Sequence, residues 1–207
     1  RVGTLGDLAC FSFHPTKNLG AAGDAGLVTS EDDALAARVR LLRKHGAQPK
    51  YHHQIVGGNF RLDAMQAAIL RAKLPALAGW NAARREHASL YDELLAELPV
   101  GTPQLRAENE CVYQQYTIRV ESDDGGPGRR DALRAKLAES KVASNIYYPT
   151  PLHLQPCFAD LNYAAGSLPV AERAANSVLS LPVYPELGAD GVREVVRRLR
   201  LALGSVD

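Results

Sequence analysis

The alternation of apolar and polar positions predicts short strands and amphipathic helices along the chain. An apolar run at residues 8–13 predicts a strand in a parallel sheet, and a shorter run at 27–29 predicts a second strand. The loop between them contains Pro15 and three glycines, at positions 20, 23 and 26. We therefore expect two strands joined by a loop of restricted conformation.

Helical periodicity dominates the next part of the sequence. Apolar stripes at helical spacing predict three helices: residues 31–44, 62–74 and 81–98. Residues 30–33 resemble a capping box, and Gly46 suits a left-handed helix end. Pro75 separates the second helix from the third. Residues 50–61 are polar and contain glycine, so they predict a loop.

Strands and helices alternate after Pro99. Strands are predicted at 112–120, 142–148 and 181–183, and helices at 131–140, 169–179 and 190–203. We therefore predict an α/β fold in two parts. Residues 1–78 form a remnant of a sheet-containing domain, and residues 79–207 form a long helix with a small α+β C-terminal domain.

Composition excludes several classes of partner. The formal net charge of +1 favours neither nucleic acid nor an anionic membrane surface, and no apolar run has the length of a bilayer-spanning helix. Cys10, Cys111 and Cys157 lie far apart without a CxxC pair, which argues against a disulfide framework or a zinc site. We therefore expect a cytoplasmic protein with reduced thiols.

The loop after the first predicted strand carries candidate chemistry. Lys17 follows the strand, Pro15 restricts its approach, and Ser12 offers a hydroxyl to a phosphate. Schiff-base chemistry needs an amine that is rigidly placed and can lose its proton. A solvated loop lysine is the competing interpretation. Residues 20–26 have neither dinucleotide-binding nor P-loop spacing, and the residue types alone leave the choice open.

A resemblance to a known family decides between these interpretations. The matching segments occur in one order along the chain: residues 12–20 with 23–26, 42–46, 57–68, 147–153 with Gln155, and 179–185. Together they are similar to the C-terminal half of the DegT/StrS family of pyridoxal-phosphate-dependent sugar aminotransferases. The resemblance implies the end of a fold-type-I large domain followed by the small C-terminal domain.

The resemblance also implies roles for individual residues. The lysine that matches Lys17 forms the Schiff base with pyridoxal phosphate and moves a proton during transamination. The serine that matches Ser12 binds the cofactor phosphate. The asparagine that matches Asn59 reaches the phosphate of the neighbouring subunit's cofactor, which implies a homodimer with shared active sites.

Two further residues are candidates for the substrate side of the site. His153 lies in a proline-containing loop, and Tyr148 lies at the end of a predicted strand. For His153 the alternative is a structural histidine that is hydrogen-bonded within a turn. For Tyr148 the alternative is a tyrosine in the core.

The expected reaction moves an amino group from an amino acid, with glutamate as the expected donor, to a keto-sugar linked to a nucleotide. In the family, an aspartate that contacts the pyridine nitrogen lies upstream of the lysine strand, and no such segment precedes Leu8. We therefore expect the N-terminal half of the fold to be absent from this chain. A non-catalytic fragment, or a subunit-interaction module, stays an alternative. A sugar dehydratase of the same fold is disfavoured by Lys17, because those relatives carry histidine there.

Overall fold

A computed structural model describes residues 2–206, and the chain divides into two compact units, one ending at Ala78 and one beginning at Gly79. The elements of the first unit are β1 (Ala9–Ser12), β2 (Gly26–Thr29), α1 (Asp33–Leu42) and α2 (Ala64–Lys73). β1 and β2 pair antiparallel, with Ala9 opposite Thr29 and Ser12 opposite Gly26. The sequence predicts β1 as a strand of a parallel sheet, and the pairing that β1 makes within residues 2–206 is antiparallel, with β2. The connection, residues 13–25, returns beside β1, because the amide of Phe13 donates to the carbonyl oxygen of Ala25.

The ends of α1 follow from specific polar groups. Asp32 caps the helix, because its carboxylate accepts hydrogen bonds from the amides of Ala34 and Leu35 at 2.7 and 3.1 Å. The helix therefore begins two residues later than predicted. Beyond its end, Gly46 has a φ of 66°, and a Cβ there would overlap the carbonyl group of Ile55. A glycine is therefore required at this turn.

The first unit buries little apolar surface by itself. Ala21 and Leu70 are its only buried hydrophobic residues among those the structure describes. Leu27 is 48% exposed and Phe60 is 74% exposed. They line an apolar groove of ≈ 710 Å³ formed by β1, β2, α1 and residues near Phe60.

The second unit has its own hydrophobic core. Its elements are β3 (Tyr116–Arg119), α4 (Gly128–Glu139), α5 (Pro169–Ser177), β4 (Val178–Leu181) and α6 (Gly188–Leu203), together with most of α3 (Leu77–Leu95). β3 and β4 pair antiparallel, with Tyr116 opposite Leu181. Fully buried side chains come from every one of these elements except α5, and they include Tyr91, Ile118, Leu133, Leu137, Leu179 and Leu199. This core is the main source of the unit's stability.

The predicted strands of the second unit are only partly correct. Residues 142–148 do not form a strand, and their pairing is limited to a bridge between Asn145 and Ser180. Pairing cannot extend far past this bridge, because Pro149 has no amide hydrogen to donate. The strand predicted at 181–183 lies earlier, at 178–181, and Pro182 ends it for the same reason.

Two classes of feature are missing from residues 2–206. No helix in this range combines the length and apolar character needed to cross a membrane. No group of three or more His, Cys, Asp or Glu side chains in this range could hold a metal ion.

Candidate functional site

The loop that carries Lys17 is closed at its base and folded back on its beginning. The amide of Phe13 donates to the carbonyl oxygen of Ala25 at 2.8 Å, and the amide of Ala21 donates to the carbonyl oxygen of Phe13 at 2.8 Å. Gly20 is buried, and a Cβ at this position would overlap the carbonyl oxygen of Pro15. The loop is therefore fixed at several points of its backbone.

Lys17 combines a fixed backbone with an available amine. Its amide donates to the carbonyl oxygen of His14 at 2.8 Å, and its side chain is half-buried. Within the part of the chain that the structure describes, its Nζ atom has no hydrogen-bond partner. An amine held in this way can react with an aldehyde without first breaking an internal contact.

Ser12 lies at the end of β1, at the start of the same loop. Its Oγ atom accepts a hydrogen bond from the amide of His14 at 3.3 Å, so its own hydroxyl hydrogen stays available for a phosphate oxygen. The side chain is exposed. Ser12 and Lys17 thus present a hydroxyl that can donate to a phosphate and a nucleophilic amine on one loop, and these two groups fit the phosphate and the aldehyde of pyridoxal phosphate.

Asn59 lies on a separate segment beside the end of α1. This segment is anchored by a β-bridge between Lys44 and Asn59 and by a hydrogen bond from the amide of Gly58 to the carbonyl oxygen of Leu42 at 3.0 Å. The Oδ1 atom of Asn59 accepts from Arg61 Nε at 2.9 Å, which leaves the exposed Nδ2 group to donate. Among residues 2–206, no hydrogen bond joins Asn59 to the Lys17 loop.

Tyr148 and His153 line one groove of the second unit. The groove has a volume of ≈ 750 Å³, and its walls include Tyr147, Phe158 and Tyr163. Tyr148 is 70% exposed, so it is not a core tyrosine. The His153 side chain is only 6% exposed, and its ring packs edge-on against Tyr163 at a centroid distance of 5.9 Å.

Glu172 on α5 binds the backbone of the loop that forms one wall of this groove. Its carboxylate accepts hydrogen bonds from the amides of Gly166 at 2.8 Å and Leu168 at 3.1 Å, and it lies 3.0 Å from His153 Nε2. The Gly166 amide, followed by the His153 side chain, lowers the pKa of the Glu172 carboxyl below its usual value. One ring nitrogen of His153 is therefore occupied in holding the loop.

The sequence did not predict three residues that organise these loops. Gln66 and Lys73 on α2 contact the backbone of the Lys17 loop, and Glu172 fastens the groove loop. The polar positions of a predicted helix can be read from its periodicity. Nothing in the sequence, however, identifies the distant backbone groups that these three side chains bind.

Comparison with known proteins extends these observations. The sequence profile of the DegT/DnrJ/EryC1/StrS aminotransferase family matches residues 1–200. The chain is 48% identical to a pleiotropic regulatory protein of Geobacillus stearothermophilus, over 96% of this chain and 52% of that protein. It is 44% identical to UDP-N-acetyl-3-dehydro-α-D-glucosamine 3-aminotransferase of Acidithiobacillus ferrooxidans, over 98% of this chain and 52% of that enzyme.

Among solved structures, the chain is similar to Streptomyces venezuelae DesV in complex with a ketimine intermediate. The TM-score is 0.90 and the identity is 41%, over 100% of this chain and 54% of that chain. The chain thus spans about half the length of the relatives it matches. The family is one of pyridoxal-phosphate-dependent aminotransferases, and several of the relatives are named as transaminases of UDP- or dTDP-linked sugars. On the match to its profile over residues 1–200, the chain belongs to the DegT/DnrJ/EryC1/StrS aminotransferase family.

Proposed function

We propose that the protein carrying this chain is a pyridoxal-phosphate-dependent aminotransferase. It moves an amino group from an amino acid to a nucleotide-linked keto-sugar, and it produces a keto acid and an amino sugar. The relative from A. ferrooxidans is named for an amino transfer to a UDP-linked 3-keto sugar, which supports this substrate class. Glutamate is the proposed amino donor.

The proposal rests on Lys17, which combines a fixed backbone with an available amine. Its backbone is fixed by His14, and its amine has no partner among residues 2–206. Lys17 would hold the cofactor by a Schiff base, formed with loss of water from its amine and the cofactor's aldehyde. Ser12 would donate its hydroxyl hydrogen to the cofactor phosphate.

The division of chemistry between cofactor and protein follows from these residues. When bound, pyridoxal phosphate supplies an electron sink for the charge that remains when a C–H proton leaves. The chain supplies the base: once the substrate's amino group has taken its place on the cofactor, the amine of Lys17 would accept a proton from the carbon that bears that amino group, and would later return a proton. Fixing the backbone of Lys17 keeps this amine within reach of both positions.

Asn59 extends the proposal to the quaternary structure. Its exposed Nδ2 group lies on an anchored segment and is not hydrogen-bonded to the Lys17 loop within residues 2–206. We infer that it donates to the phosphate held by a second copy of the chain, which makes the protein a homodimer with shared sites. The three cysteines are unpaired, which suits a reducing compartment such as the cytoplasm.

Trapping of the Schiff base tests the function. The full-length protein would be incubated with pyridoxal phosphate, reduced with borohydride and digested, and the modified lysine would be identified by mass spectrometry. We expect the label on Lys17, and no turnover by Lys17→Ala. Lys50→Ala is a matched control, because Lys50 is exposed and lies over the Tyr51 ring at 4.8 Å. A label on another lysine would overturn the assignment.

A further inference from the structure

The Lys17 loop is held from outside by two side chains of α2. The amide of Ala22 donates to the Oε1 atom of Gln66 at 2.9 Å, and the Nζ atom of Lys73 donates to the carbonyl oxygen of Gly20. These contacts join residues that are 44 and 53 positions apart in the sequence. They are therefore tertiary contacts that exist only when α2 and the loop are both in place.

The two side chains act from one face of the helix. Gln66 and Lys73 are seven positions apart, which corresponds to about two helical turns, so both project to the same side of α2. Gly23 approaches this face so closely that a Cβ would lie 3.1 Å from Gln66 Nε2. A loop that rests on a helix is placed more accurately than a loop that is supported only by itself.

The contacts complete a fixed backbone on the C-terminal side of Lys17. Gly20 and Ala22 flank Ala21, which is 4% exposed and bound through its amide to the carbonyl oxygen of Phe13. Three successive residues therefore have a backbone group fixed by a partner. On the other side, the Lys17 amide is fixed by His14. Lys17 thus lies between two immobilised points, and one of them depends on α2.

We propose that Gln66 and Lys73 are positioning residues for Lys17. They contact the loop backbone and act through Gly20 and Ala22 on the placement of the Lys17 amine. This inference rests on the proposed function of Lys17 as the Schiff-base lysine. Loss of either contact lets the segment after Lys17 move, and displacement of a reacting group by about 1 Å costs roughly 100-fold in rate.

Variants of the full-length protein distinguish an effect on the position of Lys17 from an effect on folding. Gln66→Leu and Lys73→Met remove the contacts, whereas Gln66→Glu and Lys73→Arg keep an acceptor and a donor. Arg71→Met is the matched control, because Arg71 is an exposed cation of the same helix. Thermal unfolding would first establish that each variant is folded. Gln66→Asn keeps the amide but withdraws it by one methylene, and it replaces Gln66→Leu if that variant does not fold.

Three measurements report on the position of Lys17. The first is the rate of Schiff-base formation with pyridoxal phosphate. The second is the pH at the midpoint of the absorbance change of that Schiff base. The third is the rate of hydrogen exchange of the Ala22 amide in the cofactor-free protein. We expect Gln66→Leu and Lys73→Met to slow Schiff-base formation at least roughly 10-fold and to shift the pH midpoint. Gln66→Leu should also accelerate exchange at Ala22. The conservative variants should restore the rate, and Arg71→Met should match the unsubstituted protein.

The outcomes distinguish this inference from the proposed function. Labelling of a lysine other than Lys17 in the unsubstituted protein would overturn both. Labelling of Lys17, with an unchanged rate and pH midpoint in folded Gln66→Leu and Lys73→Met, would overturn the positioning role alone. A slowed reaction that Gln66→Glu and Lys73→Arg restore would establish it.

Discussion

The Nη1 atom of Arg84 donates to the carbonyl oxygen of Val183 at 2.6 Å and so joins α3 to the segment after β4. The same atom lies 3.2 Å from the carbonyl oxygen of Tyr113. Arg84 is 8% exposed, and burial lowers the pKa of its guanidinium below the usual value. One buried cation thus bridges the two segments that extend beyond the Tyr116–Leu181 end of the β3–β4 pair.

Replacement of Arg84 should destabilise the second unit. Arg84→Met removes hydrogen bonds from a charged donor and leaves two carbonyl groups with fewer partners, at a cost of about 2–4 kcal/mol in the free energy of unfolding. Urea denaturation followed by circular dichroism would measure the change. Arg85→Met is the control, because Arg85 pairs with Glu110 at the surface at 2.7 Å and should cost less than about 1 kcal/mol. Equal losses in both variants would contradict the bridging role.

Acid should release the loop that Glu172 holds. The pKa of this carboxyl is lowered in the folded state, so its stabilising effect is fully present above its ordinary value of 4.5 and is lost as the pH falls through the folded value. We expect the exchange protection of the Gly166 and Leu168 amides to fall as the pH is lowered from neutral to well below 4.5. Glu172→Gln should give weaker protection without this pH dependence. Protection that stays constant across this range in the unsubstituted protein would refute the prediction.

Asn59 permits a complementation test of the shared site. Asn59→Ala should weaken cofactor binding, and Lys17→Ala should be inactive. Because the proposal places these residues in different subunits of one site, a mixed dimer contains one site with both residues intact. Mixing the two inactive or weakened variants should therefore recover part of the activity. Purified mixed dimers without recovery would show that Asn59 acts in its own subunit.

The two units should differ in stability when the 207-residue chain is produced alone. The first unit has Ala21 and Leu70 as its only buried hydrophobic residues within the described range, and it exposes Leu27 and Phe60. We expect poor solubility and little exchange protection in β1 and β2, with strong protection in β3, β4 and α6. A chain that starts at Leu77 should keep the strong protection and gain solubility. Equal protection in both units would contradict this expectation.

Helices were predictable from the sequence because their burial is periodic. The last helix was predicted at 190–203 and is observed at Gly188–Leu203, with Val192, Val195 and Leu199 buried on one face. The longest helix begins earlier than predicted, at Leu77, because Pro75 occupies the preceding short turn, where the missing amide hydrogen costs nothing. Local physics therefore accounts for most helix positions.

Strand pairing was less predictable because it depends on distant partners. The segment 142–148 has strand-like composition but makes only one bridge, between Asn145 and Ser180. The antiparallel order of β1 and β2 follows from how the loop returns, and an apolar run does not encode that direction.

The candidate site likewise has one part that the sequence predicts and another part that only the structure shows. Ser12 and Lys17 could be identified together because they lie on one short segment that resembles a family motif. The supports of that segment, Gln66 and Lys73, lie 44 and 53 positions from the groups they bind. A side chain on a helix carries no local signal of a partner that folding brings to it. Such supporting residues become visible only in the structure.

The way in which Glu172 holds its loop determines which side chains of the groove wall can be substituted. Every residue from 156 to 168 is exposed, so packing in the core does not determine the conformation of this loop. Its order depends instead on hydrogen bonds to its backbone amides, two of which are held by the Glu172 carboxylate, and any residue type except proline provides such an amide. Exposed side chains such as Leu161 can therefore be exchanged at little cost to folding. This wall of the groove can thus change its side chains by substitution while the Glu172 anchor is kept.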